Sequence, residues 1–187
     1  MVAEDIFSTG EPQTIADVLA NKDERVALQQ SLIAKYPGRT VVALKMNIPG
    51  PIKNNSDLEK LFKAGDAQLR SMMTQRQYVI IDDEHWDRPT GSEAFYVVDM
   101  KADQVKKLAV SFEDEFTLGR LFDADVLMGG DGGARALSRT NFGLPARTCL
   151  VCGRPAKDCA RSRRHSVTEL QAHIADMYTT YFGGQLL

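Results

Sequence analysis

The chain has 187 residues, of which 43% are hydrophobic and 26% are charged, and its formal net charge is −2 at pH 7. This length and composition predict one ordinary soluble domain, with no binding to nucleic acid expected because a dedicated duplex-DNA binder is usually strongly basic. No apolar run reaches the roughly 18 residues of a membrane span, so we expect no membrane partner.

The first part of the chain is predicted to be a short flexible segment followed by helices. Residues 1–13 are polar and lack the features of a secretory signal, so we expect a flexible N-terminus and one domain over residues 14–187. Thr14 can cap a short helix whose apolar side contains Ile15, Val18 and Leu19. A second helix is predicted at about Asp23–Lys35, ended by Pro37-Gly38.

A buried strand and a stiff loop come next. Thr40–Met46 is short, β-branched and bounded by turn residues, which predicts a buried strand. The loop Asn47–Asn55 contains two prolines around a glycine, and its Lys53 is a candidate phosphate ligand. A rigid turn without a binding role is the alternative.

The middle of the chain is predicted to alternate between helices and strands. A capping box at Ser56–Glu59 predicts a helix whose apolar positions extend to Met73. The elements predicted after it are a strand at Gln77–Asp82, a polar loop at Asp83–Thr90, a strand at Ala94–Asp99, a short helix at Ala102–Lys106 and a strand at Leu108–Phe112.

Two acids lie close together in the next predicted strand, Gly119–Met128. Asp123 and Asp125 are two residues apart and are predicted to fall on one strand face together with Leu121, where the two acids can share a hard divalent cation such as Mg²⁺. Gly119 allows close approach of a backbone or a phosphate, and Arg120 offers a charged fork for a phosphate. A pair of surface acids is the alternative interpretation.

A glycine-rich turn follows the acids. Residues 129–133 contain four glycines and have no following Lys-Ser or Lys-Thr, so they are not a P-loop; a hairpin tip fits them. Ala134–Thr140 is predicted to return as a strand that brings Ser138 and Arg139 back towards the acids.

The three cysteines form a compact pattern with a histidine. Cys149 and Cys152 are a C-x₂-C pair, and Cys159 and His165 follow at intervals of seven and six residues. Three thiolates and one imidazole are a plausible tetrahedral Zn²⁺ set. Reduced cysteines that only pack are the alternative, and either state suits a cytoplasmic protein.

A basic cluster leads into the last predicted helix. Arg161, Arg163 and Arg164 precede a capping box that begins at Ser166. A helix start presents free N–H groups and partial positive charge, so this junction is a candidate phosphate site. A solvated basic turn is the alternative.

Several of these segments together resemble one family, the apo-citrate lyase phosphoribosyl-dephospho-CoA transferases, also called citrate lyase holo-acyl-carrier-protein synthases. The resemblance covers about residues 20–180 and keeps the order of its motifs. The matching segments are Met46–Lys53, Gly119–Val126, Ser138-Arg139, Cys149–Cys152 and Cys159–Ser166. One departure is Phe116-Thr117, which stand where the family has His-Pro.

The resemblance implies an α+β, nucleotidyltransferase-like domain with a mixed sheet flanked by helices. The implied reaction moves the 2′-(5″-triphosphoribosyl)-3′-dephospho-CoA group onto a serine of the apo-acyl carrier protein subunit of citrate lyase, with release of diphosphate. Asp123 and Asp125 would hold Mg²⁺. The cations and polar groups implied to hold phosphates are Lys53, Gly119, Arg120, Ser138, Arg139, Arg161, Arg163, Arg164 and Ser166. Asp99, Glu113 and Glu115 are candidates for a third carboxylate.

Two other functions remain open from the sequence. The related holo-acyl-carrier-protein synthases of malonate decarboxylase also use a D-x-D pair, so their carrier is a second candidate substrate. A non-enzymatic zinc-knuckle binding module is the third interpretation, and it predicts bound zinc with no metal at the acids.

Overall fold

Five strands form one open sheet in the computed structural model, which describes residues 5–130 and 133–184. The strands are β1 (Thr40–Met46), β2 (Ile80–Arg88), β3 (Gly91–Val98), β4 (Phe122–Gly130) and β5 (Gly133–Ala136), in the order β2-β3-β1-β4-β5. The α+β class is therefore confirmed. The predicted mixed sheet is wrong, because each strand runs antiparallel to its neighbours.

Helices cover both faces of this sheet. The described α-helices are α1 (Ile15–Lys35), α2 (Ser56–Gln75), α3 (Ala102–Glu115), α4 (Ala156–Ser162) and α5 (Val167–Gly183), with short 3₁₀ helices at Gly119–Leu121 and Arg139–Phe142. Within the described ranges, no helix has the length and apolar character needed to cross a membrane.

Strand β1 is buried on both faces and separates two cores. Val42 and Leu44 point into the larger core, which β4 shares with α2, α3 and α5. Val41 and Ala43 point into a smaller core, where Leu32 of α1 packs. Alternation along one strand therefore supplies both cores.

Helix α1 differs from its prediction in length and in orientation. One continuous helix replaces the two predicted helices, although Thr14 caps it as predicted, in a capping box with Asp17. Ile15 and Leu19 are 81% and 52% exposed, so the predicted apolar face is wrong. The face of α1 that turns towards the sheet is instead set by a polar contact. Arg25 forms two hydrogen bonds, of 2.5 and 2.9 Å, with the buried carboxylate of Glu93 on β3.

Two predicted segments between residues 83 and 112 take a different structure. The predicted strand Leu108–Phe112 lies inside α3, since Val105, Leu108, Ala109 and Phe112 recur at helical spacing and are all buried. The predicted polar loop Asp83–Thr90 is largely strand: β2 continues to Arg88 and pairs with β3. An edge strand needs no apolar alternation to form its backbone pairs.

The start of α2 also organises the N-terminal segment. Asn55, rather than the predicted Ser56, is the N-cap, and its side chain accepts from the backbone N–H groups of Asp57 and Leu58. The same side chain donates to the carbonyls of Ile6 and Thr9. Ile6 is 1% exposed and packs in the larger core, so this part of the predicted flexible terminus is tied to the domain.

Candidate functional site

The acid pair lies on β4 and faces the side of the sheet that α1 covers. Asp123 is opposite Lys45 on β1, and Asp125 is opposite Ala43. The predicted common face for the two acids is confirmed by this register, but Leu121 does not share it. Leu121 ends the 3₁₀ helix Gly119–Leu121 and is buried in the larger core.

Asp123 is held between two cations. Lys45 Nζ lies 2.5 Å from Asp123 Oδ2, and the Arg147 guanidinium binds Asp123 Oδ1. Burial acts to raise the pKa of Asp123, but Lys45 and Arg147 outweigh burial, so the pKa of this carboxyl lies below its usual value. Asp123 is therefore ionised at neutral pH, and both of its carboxylate oxygens are occupied by these two cations.

Asp125 differs from Asp123 because it is exposed and unpaired. Within the described ranges its carboxylate makes no hydrogen bond and no ion pair. Lys106 of α3, a residue that is 6% exposed, interacts electrostatically with Asp125. Burial lowers the pKa of Lys106, while Glu113 and Asp125 act to raise it. Asp125 thus offers carboxylate oxygens that are free to bind a cation.

Arg147 joins the acid pair to the end of the strand that carries it. Its Nη2 donates to the carbonyls of Phe122 at 2.7 Å and Arg120 at 3.2 Å, while Nη1 binds Asp123. Lys45, Lys106 and Arg147 were missed by the sequence analysis. A lysine near the end of a buried strand and a lysine on the buried face of α3 were signals, whereas Arg147 lies in a loop and gave none.

Glu113 supports β4 from the larger-core side. Its Oε1 accepts from the backbone N–H of Ala124 at 3.0 Å, and its Oε2 pairs with Arg139 at 2.5 Å. Of the three candidates for a third carboxylate, Glu113 is the one that contacts the acid strand, but both its oxygens are occupied. Asp99 pairs with Arg39, and Glu115 is exposed.

The predicted phosphate ligands near the strand already have partners. Arg139 pairs with Glu113 and Asp114, and the Arg120 guanidinium donates to the Thr148 carbonyl. Lys53 donates to the Ile48 carbonyl at 2.7 Å inside its own loop, and burial lowers the pKa of Lys53. The Ser138 hydroxyl donates a hydrogen bond to the side-chain oxygen of Asn141 at the start of the second 3₁₀ helix.

Gly119 is required by packing. A Cβ there would overlap the carbonyl oxygen of Phe112 and lie 2.9 Å from that of Glu113, both at the end of α3. Because backbone atoms cannot move aside, Gly119→Ala is expected to lower the free energy of unfolding by about 3 kcal/mol in urea denaturation. Gly183→Ala is the matched control, since open space surrounds that helical glycine. Equal stability of the two variants would contradict this packing role.

The basic cluster lies on α4 and at its end. Arg161, Arg163 and Arg164 are exposed, and across residues 5–130 and 133–184 their side chains form no ion pair. Ser166 caps α5 as predicted: its Oγ accepts from the Glu169 N–H at 3.1 Å, and its own N–H donates to the Glu169 carboxylate at 2.7 Å. A phosphate role for these residues stays a prediction.

The cysteines and His165 form a set that can hold a metal ion. One ligand atom from each of Cys149, Cys152, Cys159 and His165 lies within 4.8 Å of the others. His165 Nε2 is buried and has no hydrogen-bond partner. A hydrogen bond from His165 lowers the pKa of Cys152 to about 6, whereas burial raises the pKa of Cys159 to about 11. A thiol that ionises readily and an orphaned imidazole nitrogen fit a metal site.

Known proteins resemble this chain over nearly its whole length. Residues 13–181 match the sequence profile of the family described as "Apo-citrate lyase phosphoribosyl-dephospho-CoA transferase". A relative of that name, qualified as probable, in Streptococcus pyogenes serotype M18 (strain MGAS8232) is 32% identical over 97% of this chain and 93% of its own. The relative from Escherichia coli O1:K1 / APEC is 32% identical over 88% and 87%.

A longer relative contains a matching part. "Protein CitXG" from Haemophilus influenzae is 35% identical over 91% of this chain, which corresponds to 36% of that protein. The match to the family profile and the near full-length relatives agree with the resemblance first noted on the proline loop, the acid strand and the cysteine segment. The chain therefore belongs to the apo-citrate lyase phosphoribosyl-dephospho-CoA transferase family.

Proposed function

We propose that this protein is a transferase that attaches the 2′-(5″-triphosphoribosyl)-3′-dephospho-CoA group to a serine of the apo-acyl carrier protein of citrate lyase. Its relatives carry the name of that activity. The observation that carries the proposal is the acid pair Asp123 and Asp125 on one sheet face, with Lys45, Lys106 and Arg147 beside it. Two acids amid three cations suit a metal-bound triphosphate.

The reaction exchanges one bond at phosphorus for another. The serine oxygen forms a bond to the α-phosphorus, the bond from that phosphorus to the diphosphate oxygen breaks with its electron pair leaving on diphosphate, and the serine proton passes to solvent. Asp125 offers unpaired carboxylate oxygens, and Asp123 would exchange Lys45 or Arg147 for the metal, so the two acids fit Mg²⁺. When bound, Mg²⁺ would supply Lewis-acid stabilisation of the phosphate oxygens.

The protein's own groups would position the triphosphate. Lys45, Lys106 and Arg147 would neutralise its negative charge, and Arg147 is already fixed by two carbonyls of the acid strand. The exposed Arg161, Arg163 and Arg164, together with Lys53, Arg120, Ser138 and Arg139, remain proposed phosphate ligands. For Arg139 this role would require release from Glu113 and Asp114. The position of the acids on an inner strand of an open sheet supports a nucleotidyltransferase-like fold.

Lys106 makes diphosphate binding depend on pH. Because burial lowers the pKa of Lys106, its positive charge is lost at a lower pH than the value of about 10.4 for an ordinary lysine. We expect the affinity of wild type for magnesium diphosphate, relative to Lys106→Met, to fall as pH rises towards 10. Calorimetry on both proteins measures this ratio, which cancels the titration of diphosphate itself. A ratio independent of pH would contradict a charged role for Lys106.

We also propose that Cys149, Cys152, Cys159 and His165 bind a structural Zn²⁺. Purified protein is expected to contain one zinc per chain. Cys159→Ser is expected to lose it, because structural Zn²⁺ sites have four protein ligands and this variant keeps three. Elemental analysis after dialysis checks both results. Cys159→Ser that retains stoichiometric zinc would contradict this ligand set.

A further inference from the structure

The segment that contains the cysteine cluster has almost no apolar core of its own. We call residues 147–165 the knuckle. Among them only Cys159 is buried, at 7% exposure, and Leu150 is partly buried against the larger core. A segment of this length that buries so little cannot offset its loss of conformational entropy by packing. Metal binding commonly supplies that free energy in small cysteine-rich segments.

The backbone of Arg147 is fixed by the knuckle. The Arg147 carbonyl accepts a hydrogen bond of 2.9 Å from the N–H of Ala156. Ala156 is the first residue of α4 and lies three residues before Cys159. Thr148 pairs with Pro155 in an antiparallel bridge, and the Cys149 N–H donates to Arg154. The ligands and the arginine therefore belong to one hydrogen-bonded turn.

Two arginines link this turn to the acid strand. The Arg147 side chain reaches from the knuckle to Asp123 and to the carbonyls of Phe122 and Arg120. The Arg120 side chain reaches in the opposite direction, to the Thr148 carbonyl. The knuckle and the acid strand are therefore joined by arginine side chains that cross in both directions.

We infer that metal in the knuckle positions Arg147 on the acid strand, and so couples the cysteine cluster to phosphate binding at Asp123 and Asp125. The inference rests on the proposed function of the acid pair and of the cysteine cluster. Arg147 acts here as a positioning and phosphate-binding residue, and the knuckle acts only through it. Loss of the metal frees the turn, and Arg147 then no longer holds Asp123.

Binding of magnesium diphosphate to zinc-free protein tests this coupling without any carrier protein. Cys159→Ser is expected to bind diphosphate roughly 10- to 100-fold more weakly than wild type, the range for one lost charge-assisted contact. Arg147→Ala is expected to keep its zinc and show a similar loss. The double variant is expected to be no weaker than either single variant. The inference would be overturned if the double variant lost as much diphosphate affinity as the two single losses multiplied together. It would also be overturned if zinc-free Cys159→Ser bound diphosphate as tightly as wild type.

A second measurement uses wild-type protein and covers the case in which Cys159→Ser fails to fold. Coupling is reciprocal, so bound diphosphate must raise the zinc affinity of the knuckle by the same factor. Competition with a zinc-selective chelator, with and without magnesium diphosphate, is expected to show this gain in wild type and not in Arg147→Ala. Equal gains in both proteins would overturn the inference. Failure of the acid-pair proposal is distinguished separately, by Asp125→Asn that retains transfer activity.

Discussion

Asp125→Asn is expected to lower the rate of carrier modification by about 1,000-fold or more while leaving the free energy of unfolding unchanged. The carboxylate is exposed and has no ion pair within the described ranges, so its loss removes a metal ligand and no structural contact. Stabilisation of phosphoryl charge by a bound metal contributes several kcal/mol, which sets this magnitude. Single-turnover mass spectrometry of the carrier measures the rate, and urea denaturation measures stability.

Asp123→Asn is the informative comparison for this variant. We expect the same loss of activity together with a measurable loss of stability, because Lys45 and Arg147, only 24% and 22% exposed in their side chains, lose their shared anion. The two variants therefore separate the metal role from the structural role of the pair. Near-wild-type turnover of Asp125→Asn with Mg²⁺ would contradict the metal assignment.

Glu113→Ala is expected to lower the free energy of unfolding by about 3 to 5 kcal/mol, the range for breaking a buried ion pair. The side chains of Glu113 and Arg139 are 6% and 10% exposed, so removing the carboxylate leaves the buried guanidinium with only the exposed carboxylate of Asp114 as its ion-pair partner. The backbone N–H of Ala124 also loses its acceptor. Urea denaturation measures this change.

Asp114→Ala is the matched control for Glu113→Ala. Asp114 pairs with the same arginine, but its side chain is 44% exposed, and an exposed ion pair contributes about 1 kcal/mol or less. If both variants lost the same stability, Glu113 would have no special role in holding α3 to the acid strand.

Local patterns predicted the elements whose own residues determine them. Thr40–Met46 is a strand over the predicted residues, since its short β-branched run is buried on both faces. The capping boxes at Thr14 and Ser166 begin helices as predicted, because the cap and its partner lie three residues apart in sequence.

Predictions failed where distant contacts decide the structure. The exposure of Ile15 follows from the ion pair of Arg25 with Glu93, a partner 68 residues away. Leu108–Phe112 is β-branched in part and short, so only its continuation from Val105 to Glu113 on one buried face reveals a helix. A short sequence window shows neither the Arg25–Glu93 ion pair nor the full buried face of α3.

The acids of the candidate site could be predicted from the sequence, but the cations that contact them could not. Asp123 and Asp125 are two residues apart in sequence and share a face by strand geometry alone. Arg147 reaches Asp123 from 24 residues away through a loop, and Lys45 reaches it from 78 residues away across a strand pair. The predicted cations Arg139 and Arg120 were instead bound to Glu113, Asp114 and a backbone carbonyl.

The most direct test is to incubate the protein with 2′-(5″-triphosphoribosyl)-3′-dephospho-CoA, Mg²⁺ and the apo-acyl carrier protein of citrate lyase, and to weigh the carrier. In parallel, the apo-carrier of malonate decarboxylase and a serine-to-alanine citrate lyase carrier are tested. We predict that the citrate lyase carrier gains one prosthetic group at its serine and that one diphosphate is released per carrier. An unchanged citrate lyase carrier, or faster modification of the malonate decarboxylase carrier, would contradict the proposed function.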